Sequence, residues 1–178
     1  RSVIRDLEIR DTDTSHNRVN GVYLNGDLSR AVLSGLTIDD NGGHGLNIDT
    51  FSAENIAVEK CRMTGSHNRR NGFSLDGKGR DCRVTDSVSS RNNGDGFNVH
   101  GSWKDVLLVR CIAEENGNDG RRWDGDGYTF HDDSVGRLVK CTARNNRKSA
   151  VANVNQSTLD MDRCIFTHDT NGSVALVY

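Results

Sequence analysis

Seven times along its 178 residues the chain repeats a small residue followed by a short alternating strand. Five copies are strong: Gly21-Val-Tyr-Leu-Asn25, Gly45-Leu-Asn-Ile-Asp49, Gly72-Phe-Ser-Leu-Asp76, Gly96-Phe-Asn-Val-His100 and Gly127-Tyr-Thr-Phe-His131. Weaker copies follow at Ala150-Val-Ala-Asn-Val154 and Gly172-Ser-Val-Ala-Leu176. The anchors lie 24, 27, 24, 31, 23 and 22 residues apart, and self-similarity in that range is the signature of a solenoid.

Between the anchors lies a second family of segments: 31–38, 55–61, 83–87, 106–111, 137–141 and 159–164. They are short, rich in β-branched residues and bounded by Asn, Asp and Gly, as strands between tight turns are. No segment sustains a helical period. Each repeat therefore holds at least two strands and several turns. The architecture that fits is all-β, a parallel β-helix solenoid of about seven coils in which equivalent strands pair in register.

Side chains alternate along a strand, so Val22, Leu46, Phe73, Phe97 and Tyr128 are expected inside together with Leu24, Ile48, Leu75, Val99 and Phe130. The opposite face receives Tyr23, Asn47, Ser74, Asn98 and Thr129, and a column made of the fourth residue after each glycine: Asn25, Asp49, Asp76, His100 and His131. Rungs about 4.8 Å apart put neighbours in that column in contact, and five of them cover about 19 Å, a length suited to an oligosaccharide.

The mean hydropathy of −0.66, with 34% hydrophobic residues, suits coils that each need only a thin apolar interior. With no Pro, no Ser/Gly linker and no charge block, residues 1–178 read as a single domain. The chain begins and stops inside repeat material. The expectation is a segment lacking its end caps, covered by more of a longer chain or by a second copy in a homo-oligomer. A net charge of −2 with acids and bases intermixed argues against nucleic acid. No apolar run approaches the roughly 18 residues of a membrane span.

Cys61, Cys111, Cys141 and Cys164 occupy corresponding places at the end of the second strand, with Ser87 standing in that place in the third repeat. They read as small buried fillers in reduced form; Cys82 lies outside that column.

The segments Asn41-Gly-Gly-His-Gly-Leu-Asn-Ile-Asp49, Arg91-Asn-Asn-Gly-Asp-Gly-Phe-Asn-Val-His100 and Asp124-Gly-Asp-Gly-Tyr-Thr-Phe-His-Asp132 resemble the coil repeats of right-handed parallel β-helix proteins, the superfamily of pectate lyases and mannuronan C-5 epimerases. Within it the chain is most similar to the epimerase group, whose catalytic strand carries a Tyr-Gly-Phe-Asp-Pro-His stretch followed one coil later by Asp-Gly-Phe-x-x-Asp. His100 and His131 hold that register here, while Asp95 or Asp126 stands where the family has its Tyr. The resemblance implies an extracellular, cell-surface or virion protein acting on an acidic polysaccharide by C-5 proton abstraction, as epimerase or lyase; no cofactor is expected, calcium apart.

Such chemistry needs a base, a group that neutralises the sugar carboxylate and a proton donor. His100 beside Asp76 fits the base. Asp49 and Asp76 are like charges on adjacent rungs, so that one is expected to hold a proton and neutralise the substrate. His131 or Tyr128 is then the donor. Asn47, Asn98 and Lys104 flank the column, and Trp103 is weighed there between a sugar contact and a core position. The longest repeat adds an insertion in which Arg122, Trp123 and Asp126 are candidate sugar contacts, while Asp119, Asp124 and Asp126 raise a calcium site. His16, His44, His67 and His168 are expected to be exposed turn residues. Two other classes stay open: a non-catalytic shaft of a phage tail or cell-surface fibre, and a glycoside hydrolase using Asp49 with Asp76.

Overall fold

A computed structural model describes residues 3–64, 70–117 and 125–169, and the backbone of 176–177. Every assigned element is a strand, and every strand pairing is parallel. Each coil contributes to three sheets rather than the two that the strand families announce. The anchor sheet holds Val22–Asn25, Leu46–Thr50, the first half of Phe73–Thr85, Phe97–Val99, Tyr128–Phe130, Val151–Asn153 and Leu176–Val177. The broad sheet holds Val3–Arg10, Asp27–Ser34, Ala53–Glu59, the rest of Phe73–Thr85, Ser102–Val109, Val135–Val139 and Thr158–Asp162. A short sheet of three-residue strands runs from Thr37–Asp39 to Ile165–Thr167, and its six strands mark about six turns of the solenoid rather than seven.

The interior follows from alternation. All ten residues expected inside the anchor sheet are buried. Phe73, Phe97 and Tyr128 stack on successive rungs, with ring centroids 5.9 and 5.2 Å apart. Aromatic stacking adds about 0.5–1.5 kcal/mol per pair to the area each ring buries. The Tyr128 hydroxyl lies 2.7 Å from the Cys111 carbonyl oxygen and 3.0 Å from that of Thr142. Burial pushes its pKa well above that of a free phenol. Facing inward and spent on the backbone, Tyr128 is no proton donor to a substrate. The cysteines are all free thiols. Cys61, Cys111 and Cys141 are buried and Cys164 is half-buried where the broad sheet turns into the short one, and Ser87 accepts the amide of Cys61 at 3.1 Å. Burial pushes the Cys82 thiol up to about 12.

Between the short and anchor sheets an amide ladder runs parallel to the axis. Asn92 donates to Asn116 Oδ1 from both its backbone and side-chain nitrogens, at 3.2 and 2.9 Å; Asn116 does the same to Asn146, and Asn146 to Asp169. Asn17 meets Asn41 in the same way. Asn41, Asn92, Asn116 and Asn146 are all buried, and the carboxamide oxygens of Asn41, Asn116 and Asn146 accept turn amides that a tightly wound coil would otherwise leave unpaired.

Candidate functional site

The anchor sheet ends in a corner, and the column lies at that corner. Asn25, Asp49 and Asp76 pair in register on successive rungs. The ladder continues one residue past the later strands, since the amide of His100 donates to Leu75 O and that of His131 to Val99 O, both at 2.8 Å. The expected column is thus one physical row. At its first end, the Tyr23 hydroxyl lies 3.2 Å from Asp49 Oδ2 and accepts from Asn25 Nδ2 at 2.9 Å. Partial burial and the Asp49 carboxylate hold the Tyr23 phenol above its ordinary range.

The other end gathers the acid–base groups. His100 Nδ1 lies 3.5 Å from Asp76 Oδ1, and the Ser74 hydroxyl donates to Asp76 Oδ2 at 3.0 Å. His100 Nε2 lies 3.2 Å from Asp132 Oδ2. The His131 ring meets His100 edge-on, with centroids 5.6 Å apart. Asp49 and Asp76 each have a hydroxyl neighbour of their own, Tyr23 and Ser74.

Sequence reasoning missed Asp132. The corner residue after the column is Gly26, Gly77 or Gly101 in three coils, each with positive φ. A Cβ on Gly77 would lie 2.0 Å from Thr50 O, and one on Gly101 would lie 2.2 Å from Gly77 O. In the fifth and sixth coils Asp132 and Asn155 take this position with φ of 57° and 62°. Left-handed backbone costs L-residues about 1–2 kcal/mol, and Asp and Asn tolerate it best. The geometry turns Asp132 back toward His100, and Asn155 Nδ2 holds its other oxygen at 2.9 Å. The signal in the sequence was a corner glycine replaced by Asp directly after a column histidine.

Beside the column lies an open groove of about 630 Å³. Asn47, Ser74 and Asn98 form its floor, Asp49, Asp76 and His100 one wall, and His44, Arg70 and Asn71 the other. Asn47 is only 8% exposed, and its Oδ1, like Asn98 Oδ1, has no hydrogen-bond partner among the described residues. His44 is half-buried against this groove rather than a plain exposed turn residue. Arg70 is an exposed cation on the wall opposite the acids.

The remaining candidates separate. The Lys104 ammonium donates to Asp133 O beyond the corner. Trp103 is fully buried, packed over Gly79 of the preceding rung, and belongs to the core. Asp126 sits in the turn before its anchor glycine, 5% exposed, where Oδ1 accepts the Ser149 amide at 2.8 Å. Asp95 does the same one coil earlier for the amides of Gly125 and Asp126. Asp126 is thereby a turn-builder set apart from the groove. Arg122, Trp123, Asp119, Asp124 and His67 lie outside the described residues. With Asp126 spent on backbone, the described residues supply no group of three or more acids, histidines or cysteines arranged to hold calcium.

A solenoid of three parallel sheets with a polar row at one corner defines the parallel β-helix class. Residues 3–135 match the family model described as right handed beta helix region, and the chain belongs to that family. Among solved structures, pectate lyase Pel9A superposes with a TM-score of 0.64 at 18% identity, over 84% of this chain and 42% of that one. The A-module of the Azotobacter vinelandii mannuronan C-5 epimerase AlgE4 superposes with a TM-score of 0.61 at 14% identity, over 98% of this chain and 58% of that one. The chain thus spans about half the length of either structure, and the likeness shows the fold. No curated protein matches the chain in sequence.

Proposed function

We propose that the protein is a carbohydrate-active β-helix that abstracts the C-5 proton of a uronate unit in an acidic polysaccharide, as an epimerase or a lyase. The observation that carries this reading is His100 set between the carboxylates of Asp76 and Asp132 with His131 at its ring edge, on the wall of an open groove whose opposite wall bears Arg70. Both superposed structures act, by their names, on pectate or mannuronan, which supports an acidic polymer as substrate.

The geometry divides the work. Arg70 pairs with the sugar carboxylate and stabilises the charge that develops as the C-5–H bond breaks. His100 takes that proton at Nδ1, whose carboxylate neighbour stands at the longer distance. The ring becomes an imidazolium with a carboxylate facing each nitrogen, so charge forms where compensation is already in place. His131 supplies the second proton. Delivered to O4 as the C-4–O4 bond breaks, it leaves a C-4/C-5 double bond; inversion of C-5 instead takes its proton on the opposite face, from water entering the open groove. The unpartnered carboxamide oxygens of Asn47 and Asn98 offer acceptors for sugar hydroxyls.

NMR in deuterated water with alginate, pectate and glucuronan tests this. Deuterium at C-5 without cleavage is the result of an epimerase, and an unsaturated sugar end that of a lyase. Either signal should fall about 10²–10⁴-fold in His100→Ala, as loss of a general acid–base group does. Silence on all three polymers from folded protein would replace this reading with a non-catalytic shaft.

A further inference from the structure

On the far side of the column from the groove lies a second concavity, of about 420 Å³, whose lining includes Phe51, Glu54, Lys78, Gly79, Arg80 and Lys104. The geometry points to a binding site for a further anionic sugar unit there, so that the polymer crosses the column along the strand direction instead of lying along the solenoid axis. This rests on the proposed function, which it deepens by placing the neighbouring unit of the substrate.

The strand position between Lys78 and Arg80 is a glycine that faces inward. A Cβ on Gly79 would come within 2.4 Å of the Trp103 ring, which fills the core beneath it. The glycine thus makes room for Trp103 in the core, while Lys78 and Arg80 stand on the outer face to either side of it. Phe51 forms one side and exposes 62% of its surface, an aromatic surface on which the apolar face of a sugar can stack. The cations differ in their commitments. Arg80 Nη2 is 2.8 Å from Glu54 Oε2, and Lys104 is bonded to the Asp133 carbonyl. Lys78 is exposed and has no ion-pair partner among the described residues.

Position ties the hollow to the chemistry. Phe51, Lys78 and Ser102 each stand two residues beyond a column member, Asp49, Asp76 and His100 respectively. Two residues span at most about 7 Å, a step of the order of a single sugar unit. Arg70 and Lys78 then lie on opposite sides of the column where it carries Asp49 and Asp76. A polyanion crossing that row would meet a cation on each flank, whereas one lying along the row would meet Asp49 and Asp76.

The test is NMR titration of the His100→Ala chain, in which the polymer stays intact, with oligomannuronate and oligogalacturonate, and with a neutral cello-oligosaccharide as control. The amides of Phe51, Lys78, Ser102 and Lys104 should shift with an oligouronate and not with the neutral oligomer, less so at high salt. Adding Lys78→Glu should weaken binding about tenfold or more, the equivalent of about 1.4 kcal/mol, and Phe51→Ala should weaken it for both oligouronates. Oligouronate binding that shifts Arg70 and Asn98 but leaves the hollow silent, with Lys78→Glu and Phe51→Ala at undiminished affinity, overturns this site and leaves the groove standing. No oligouronate binding by the folded chain overturns both.

Discussion

Asp132 stands where other coils turn their corner on glycine, and it accepts left-handed strain to put an oxygen 3.2 Å from His100 Nε2. The two effects separate by substitution. Asp132→Gly relieves a backbone cost of about 1 kcal/mol and is expected to hold or raise the melting temperature. The same change is expected to lower C-5 exchange about tenfold to a hundredfold, because His100 loses the partner that fixes it. A loss of stability with unchanged exchange would show that Asp132 serves the fold alone. At this scale the sequence was legible where alternation governs: the column and the ten interior residues could be read by counting from each glycine. Asp132 escaped because its role depends on a corner reversing the side-chain direction, which no period describes. Trp103 was ambiguous because an aromatic beside the column fits a sugar as well as a core, and only its register over Gly79 decides.

Strands here gain their stability from stacking between rungs, so the cost of a change depends on its neighbours. Phe97 lies between Phe73 and Tyr128 in the anchor sheet. Phe97→Ala is expected to cost about 3–5 kcal/mol, read as a drop in denaturant midpoint, with His100 displaced as its supporting strand loosens. The turns that leave the broad sheet carry weaker, pH-dependent links. Asp86 accepts two bonds from the Arg110 guanidinium, at 2.6 and 2.7 Å, and that contact holds its carboxyl below the usual range. A depressed carboxylate contributes stability above its unfolded value and loses it as pH falls through the folded one. Both side chains are more than a third exposed, so Asp86→Asn should cost only about 0.2–1 kcal/mol at neutral pH. Melting curves should show that difference closing in strong acid. The short sheet was the element least visible in advance. Segments such as Thr37–Asp39 and Ile112–Glu114 have three residues, too few for alternation to register, and only the coil around them defines their direction.

For the whole molecule, the glycine period announced a solenoid because each coil must return to the same place to bury its apolar edge. The groove is a product of that stacking: its lining comes from three consecutive coils, His44 to Asp49, Arg70 to Asp76 and Asn98 to His100. The amide ladder that aligns those coils also bears on how the protein ages. Asparagine followed by glycine deamidates when the glycine amide nitrogen is free to attack the side-chain carbonyl. In Asn41-Gly42 and Asn116-Gly117 that nitrogen is held at 2.8 Å by a carbonyl of the neighbouring coil, and the carboxamide is buried in the ladder. Asn25-Gly26 has neither protection: Asn25 is exposed and the Gly26 amide reaches Asp49 O only at 3.4 Å. Peptide mapping after alkaline storage should find conversion at Asn25 well before Asn41 or Asn116. Each conversion would add a carboxylate beside Asp49, so a stored sample would become more acidic at one end of its own column while its coils stayed intact.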